Sequence, residues 1–195
     1  MVLYDFPLSA NAYRVRLMLA LLGLPYETRT VDLLAGAHLA ADFLAINPLG
    51  QTPALQDGEL VITDSHAIII HLAEHYGPQF YPADPGRRAA INAWLFFDAN
   101  DLHNGIGFAR NAYAFGIGEG DAPRARAQRA LVVLDRALRD RSWLVGDAPT
   151  LADIGCYPFT TVLADAGIDD AAYPNIARWR QSIEGLTGYR PMAVR

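Results

Sequence analysis

Residues 47–65 read Asn47-Pro48-Leu49-Gly50-Gln51-Thr52-Pro53-Ala54-Leu55-Gln56-Asp57-Gly58-Glu59-Leu60-Val61-Ile62-Thr63-Asp64-Ser65. Asn47-Pro48 ends the segment before it. Ala54 to Gln56 and Leu60 to Thr63 flank Asp57-Gly58, a two-residue hairpin signal. A helix follows from Ser65 to His75 and stops at Gly77-Pro78. Thr52-Pro53 sits where a cis peptide turns the main chain outward at a strand edge. The plainer reading is a trans proline opening an edge strand. Asp64-Ser65 sets a carboxylate and a hydroxyl at a helix N-terminus, where backbone N–H groups receive anions; Asp64 can equally be a simple cap. Main-chain pairing beside a carboxylate pocket suits a small extended peptide.

Working outward, Val2 to Phe6 is a short apolar strand, and Pro7 to Asn11 is turn chemistry. Tyr13 to Leu22 is helical, with Val15, Leu19 and Leu22 on one stripe. Gly23 and Pro25 end it, and Tyr26 to Val31 alternates as a strand. Strand, crossover helix and strand predict a right-handed parallel unit. Ala37 to Ile46 is a weaker helix. The order βαβ-α-ββα is that of an α/β thioredoxin-like domain with a mixed four-stranded sheet, spanning residues 1–77. Residues 78–86 read as a proline-rich linker. Residues 87–195 read as an all-α domain: a long helix from Arg87 to about Phe115, bent near Gly105 and Gly107; a second from Ala122 to Asp140; a third capped by Thr150 with Asp153 as the short capping-box acid and kinked at Pro158; and a fourth from Pro174 to about Ile183.

Composition narrows the function classes. Hydrophobic residues make up 52% and charged residues 19% of the 195, as in a foldable globular chain. Net charge is −5 and every Lys or Arg position is Arg, scattered rather than striped, so a nucleic-acid partner is not expected. Cys156 is the single cysteine, which excludes an internal disulfide and a thiolate metal cluster. It sits in an apolar run and reads as a buried structural thiol. No stretch has the length of a membrane span. Met1-Val2-Leu3-Tyr4-Asp5 carries no charged leader, so the expected location is the cytoplasm.

Three motifs together resemble the soluble glutathione S-transferase family over essentially the whole chain, its bacterial serine-, beta-, nu- and theta-like members above all. They are Pro7-Leu8-Ser9-Ala10-Asn11-Ala12-Tyr13-Arg14-Val15-Arg16-Leu17, then Asn47 to Pro53 with Asp64-Ser65, then Gly146-Asp147-Ala148-Pro149-Thr150-Leu151-Ala152-Asp153. The resemblance implies glutathione as co-substrate, no permanently bound cofactor, a small electrophile as second substrate, and a homodimer. It implies that Thr52, ahead of Pro53, pairs with the cysteinyl main chain. Ser65 would hold the γ-glutamyl carboxylate, Asp64 the ammonium, and Gln51 the glycyl carboxylate or nearby backbone.

The thiol would be ionised at the start of the first helix, with Ser9 donating to sulfur and Asn11 as second donor. Ser9 is equally a plain N-cap. Ala10 stands where beta-class members carry a cysteine. Tyr4 reads as core or interface packing, and Arg14 and Arg16 as interdomain or surface charges. Phe96, Asn100, His103 and Gly107 share one face at helical spacing. Asp101-Leu102-His103-Asn104-Gly105 is similar to a beta-class Glu-Leu-His-Lys-Gly, which makes His103 the polar group near the reaction. A solvent-facing histidine is the alternative. Asn100, Phe108 and Tyr113, with Phe115, are candidates for the electrophile pocket between the domains, and Asp101 for a reach to a partner subunit's glutathione. Two other readings share the site or the fold: glutathione-dependent reduction of a disulfide or peroxide, and a non-catalytic binding module. His71-Leu72-Ala73-Glu74-His75 fits an H-x-x-E-H zinc pattern without an evident third ligand, so no metal is expected.

Overall fold

Strand β1 (Val2–Asp5) has a neighbour on each side in the computed structural model, which describes residues 1–193. It pairs in parallel with β2 (Glu27–Thr30) and antiparallel with β3 (Ala54–Asp57), and β3 pairs antiparallel with β4 (Leu60–Ile62). The order is β2-β1-β3-β4. The parallel pair needs a crossover, supplied by helix α1 (Ala10–Leu21). Leu3 and Leu55 lie opposite each other and are fully buried. Their neighbours Tyr4 and Ala54 point to the other face, into a cluster with Val31 and Phe43. Burial on both faces explains why Val2–Asp5 lacks a clean polar alternation. All of β2 is exposed, as its Glu-Thr-Arg-Thr sequence suits an edge.

Local differences from expectation have local causes. The hairpin turn centres one residue later than the Asp57-Gly58 signal. Asp57 stays in the ladder opposite Leu60, and Gly58 takes φ 61° at the first central position, as a type II′ turn requires. The weak helix breaks into a 3₁₀ turn, Ala37–Leu39, and a single helical turn α2, Ala41–Leu44. The Asp32 carboxylate accepts from the N–H groups of Leu34 and Ala35 just before it, a local bond that competes with helix. Helix α1 is buried far beyond one stripe, with eight of its twelve residues inside. It packs on α3 (Ser65–Tyr76), which buries Ile68, Ile69 and Leu72.

The chain divides into two compact units, Met1–Gly77 together with the tail from Thr187, and Pro78–Leu186. The sequence predicts the tail as part of the helical domain. Instead the Tyr13 hydroxyl of α1 donates to the Arg190 carbonyl at 2.8 Å. The linker region holds a 3₁₀ turn, Pro78–Phe80, and helix α4 begins at Pro85, two residues inside the expected linker, with Asp84 as its cap.

The long helix of the second unit runs as α4 (Pro85–Phe97), a π segment (Asp98–Gly107) and α5 (Phe108–Phe115). A bend at glycines was expected; the chain widens into i→i+5 turns instead. Gly105 allows this segment to lie against α6 (Asp121–Ala137), because a Cβ there would stand 2.8 Å from the Ala127 backbone. Helix α7 (Leu151–Thr160) is buried at every position and ends two residues after Pro158. Its cap is a four-donor node. Asp153 Oδ1 accepts from Leu144 N and Trp179 Nε1, both at 2.9 Å, and Oδ2 accepts from Thr150 N at 2.9 Å and Thr150 Oγ1 at 3.1 Å. The last helix, α8 (Pro174–Glu184), supplies that Trp179.

Candidate active site

The loop that leaves β1 is clasped by Arg16. Its guanidinium pairs with the buried Asp5 carboxylate and donates to the Pro7 carbonyl at 2.8 Å. Burial pushes the Asp5 carboxyl above its ordinary value, against the opposing pull of Arg16. Arg16 is therefore a structural clasp, not the surface or interdomain charge expected. The loop closes with Ser9 N donating to the Phe6 carbonyl at 2.9 Å. Ser9 Oγ then accepts from Ala12 N at 3.2 Å and caps α1. A hydroxyl has one proton and two lone pairs. The cap uses a lone pair, which leaves the Ser9 proton for another acceptor.

The β1–β3 ladder runs Val2↔Gln56, Leu3↔Leu55, Tyr4↔Ala54. One step past it, Pro53 falls opposite Asp5, the last residue of β1. The Thr52-Pro53 bond is cis. Thr52 is buried, lies outside the ladder, and its Oγ1 has no hydrogen-bond partner among the described residues. The loop before it is shaped by the fully buried Asn47, whose Nδ2 donates to the Gln51 carbonyl at 2.7 Å and whose Oδ1 accepts from Leu49 N at 3.1 Å. From sequence, Asn47 is expected only as a helix stop. Its signal was the Asx-turn pattern of Asn followed by Pro and Gly. Gln51 itself is exposed.

At α3, Asp64 Oδ1 accepts from His66 N and Ala67 N, each at 2.9 Å, so Asp64 is the cap, with its side chain otherwise open to solvent. Ser65 is the first helical residue, and its N–H has no partner within the helix. Its hydroxyl oxygen accepts from Arg14 Nη1 at 2.6 Å. The same nitrogen donates to Asn11 Oδ1 at 3.1 Å. Arg14 is completely buried, which corrects its reading as a surface or interdomain charge. Arg14 thus ties the starts of α1 and α3 together, with Asn11 on one and Ser65 on the other. Tyr4 is core: its ring meets Phe43 and its hydroxyl accepts from Arg29.

In the helical unit, π geometry breaks the expected common face. His103 is half-buried, with its ring 5.6 Å from Phe108 and 5.5 Å from Phe159. Phe96 and Asn100 are exposed, and Asn100 Nδ2 donates to Asp101 Oδ2 at 3.3 Å. Asp101 is held within the chain by Arg126 at 3.0 Å. Phe108 stays beside His103. Tyr113 is turned to other work: its hydroxyl donates to Asp121 at 2.5 Å and Arg124 covers its ring. Phe115 lies under Arg110. Phe159 beside His103 was missed, because only tertiary packing brings α7 there.

His71 and His75 are occupied structurally. His71 Nε2 bonds Asp57 Oδ2 at 3.0 Å, and His75 Nδ1 bonds the His71 carbonyl at 2.9 Å. Among the described residues no three His, Cys, Asp or Glu side chains are gathered to hold a metal. Cys156 is buried, and its thiol meets the Trp94 carbonyl at 3.6 Å.

A thioredoxin-like four-stranded sheet domain followed by a helical domain defines a two-domain thioredoxin-like protein. Residues 3–80 match the family model described as glutathione S-transferase, N-terminal domain, and residues 119–186 match glutathione S-transferase, C-terminal domain. The chain is 32% identical over 178 residues to glutathione S-transferase theta-2 of Mus musculus, covering 85% of this chain and 73% of that protein. A crystal structure of glutathione S-transferase from Pseudomonas fluorescens Pf-5 superposes with a TM-score of 0.91 at 35% identity, covering 98% of each chain. A delta-class glutathione transferase of Nilaparvata lugens gives 0.88 at 31%, over 96% of this chain and 90% of that one. The chain belongs to the glutathione S-transferase family. No helix among the described residues is long and apolar enough to cross a membrane.

Proposed function

We propose that this chain binds glutathione on its first domain and conjugates it to a small electrophile, with Ser9 holding the thiolate. Family membership makes it a glutathione transferase that takes glutathione as co-substrate and needs no resident cofactor. The observation that supports the site assignment is the link between two helix starts, Ser65 of α3 joined to Asn11 of α1 through Arg14, with Ser9 capping α1 and Thr52 just before β3 with an unpartnered hydroxyl among the described residues. Thr52 main chain pairs with the cysteinyl unit. Ser65 N–H and O–H receive the γ-glutamyl carboxylate, Asp64 the ammonium, and Gln51 the glycyl end. His103 and Phe108 face the electrophile; Asn100 borders it; Tyr113 acts only by bracing α5 against Asp121.

A free thiol titrates near about 8.5, so little is thiolate at neutral pH. Lowering that by about two units takes about 2.7 kcal/mol of preferential thiolate stabilisation. One hydrogen bond to a charged group supplies about 1.5–3 kcal/mol, and the α1 dipole adds to it. Ser9→Ala therefore lowers turnover with an aryl halide about tenfold or more at saturating glutathione; unchanged turnover moves the role to Asn11 or the helix dipole. Ser65→Ala weakens glutathione affinity more than it slows chemistry, and unaltered calorimetric affinity removes the carboxylate pocket. We place the enzyme in the cytoplasm as a homodimer, a reading supported by the family resemblance and checked by sedimentation.

A further inference from the structure

We infer that Arg14 is a positioning residue that turns Ser65 and Asn11 into anion donors, an inference that rests on the glutathione reading of the site. Arg14 is fully buried and donates from Nη1 to Ser65 Oγ at 2.6 Å and to Asn11 Oδ1 at 3.1 Å. A guanidinium has donors and no acceptor. Both partners must therefore meet it with oxygen lone pairs. For Ser65 this fixes the hydroxyl rotor: the oxygen faces Arg14 and the proton points away, alongside the Ser65 N–H at the start of α3. For Asn11 it fixes the amide: the carbonyl faces Arg14 and the two N–H groups point elsewhere, two residues after the cap Ser9.

Without Arg14 the Ser65 hydroxyl can turn either its oxygen or its proton outward, and the Asn11 amide loses the bond that orients its carbonyl. With it, the Ser65 proton and the Asn11 amide hydrogens are turned away from the guanidinium. That arrangement favours a carboxylate at Ser65 and an ionised sulfur near Asn11. The buried cation also adds a field that favours anions, and low local dielectric strengthens it. A fork spanning two acceptors is a task that Lys does not reproduce, because its ammonium is a single point on a flexible stem.

The test uses the full-length protein and two ligands. One is glutathione; the other is 4-aminobutyryl-cysteinylglycine, which is glutathione without its α-carboxylate. Calorimetry gives the ratio of their dissociation constants for wild type, Arg14→Met, Ser65→Ala and the double variant. Arg14→Met is expected to weaken glutathione binding about tenfold and leave the analogue within about twofold, so the ratio collapses. In the Ser65→Ala background, Arg14→Met is expected to add less than about threefold, because Arg14 acts through Ser65. Equal weakening of both ligands, or effects that multiply, assigns Arg14 a purely structural role and overturns the inference. Should Arg14→Met fail to melt cooperatively, Arg14→Lys is measured in its place: a fall in the ratio of about threefold or more supports the bridging fork, and an unmoved ratio overturns it. Wild type that takes up no glutathione at millimolar concentration overturns the glutathione reading itself, whereas wild-type binding with an unmoved ratio in the Arg14 variants overturns only the Arg14 inference.

Discussion

Removing the carboxylate of Asp153 is the sharpest test of how the helical unit is held. Asp153 is fully buried and takes four donors: Leu144 N and Trp179 Nε1 on one oxygen, Thr150 N and Thr150 Oγ1 on the other. Each buried donor left unmet costs about 1–3 kcal/mol. Asp153→Ala strands all four, for a loss of at least about 4 kcal/mol, a large share of the 5–15 kcal/mol that separates a typical folded domain from its unfolded chain. Asp153→Asn is milder. Its one oxygen keeps Leu144 and Trp179, the Thr150 hydroxyl rotates to accept from the new amide, and Thr150 N and the hydroxyl proton lose their carboxylate acceptor. Burial raises the Asp153 carboxyl above its ordinary value, so removing the charge also recovers desolvation. The Asn variant therefore loses about 1–3 kcal/mol. Urea unfolding followed by tryptophan fluorescence reads this directly, since Trp94, Trp143 and Trp179 all lie in Pro78–Leu186. An Ala variant within about 1 kcal/mol of wild type, or an Asn variant as damaged as Ala, refutes the four-donor account.

Two further outcomes follow from packing and charge. Hydrogen bonds from His71 and then Tyr76 hold the Asp57 carboxyl below its ordinary value. A depressed carboxyl stabilises the fold above its unfolded pKa of about 4 and loses that contribution as pH falls below it. The urea midpoints of wild type and Asp57→Asn should thus lie apart above about pH 5 and converge below about pH 4; a gap that persists at lower pH removes the linkage. Gly105→Ala places a Cβ 2.8 Å from Ala127 backbone atoms that have no rotamer to yield. It should cost about 1–3 kcal/mol, seen as a lowered melting temperature, and a neutral result means the π segment and α6 move apart at little cost.

Residues close in sequence carried their own geometry, and the sequence alone settled them. Ser9 ahead of an apolar helix, Asp64-Ser65 opening α3 and Thr150 with Asp153 opening α7 are signals contained within three or four residues. A cap is satisfied by the N–H groups immediately after it. The βαβ-α-ββα order followed likewise from short apolar runs and their breakers. Tertiary structure decided which groups became partners across distance. Arg14 and Arg16 are two residues apart with the same side chain. One lies wholly inside against Ser65, and the other clasps Asp5 and the loop that carries Ser9. No local pattern separates them, because a buried charge is tolerated only where remote acceptors meet it. The π segment was hidden for the same reason. The 3.6-residue period assumes an isolated helix, and the widened turns at Asp98–Gly107 accompany the close approach of α6 at Gly105.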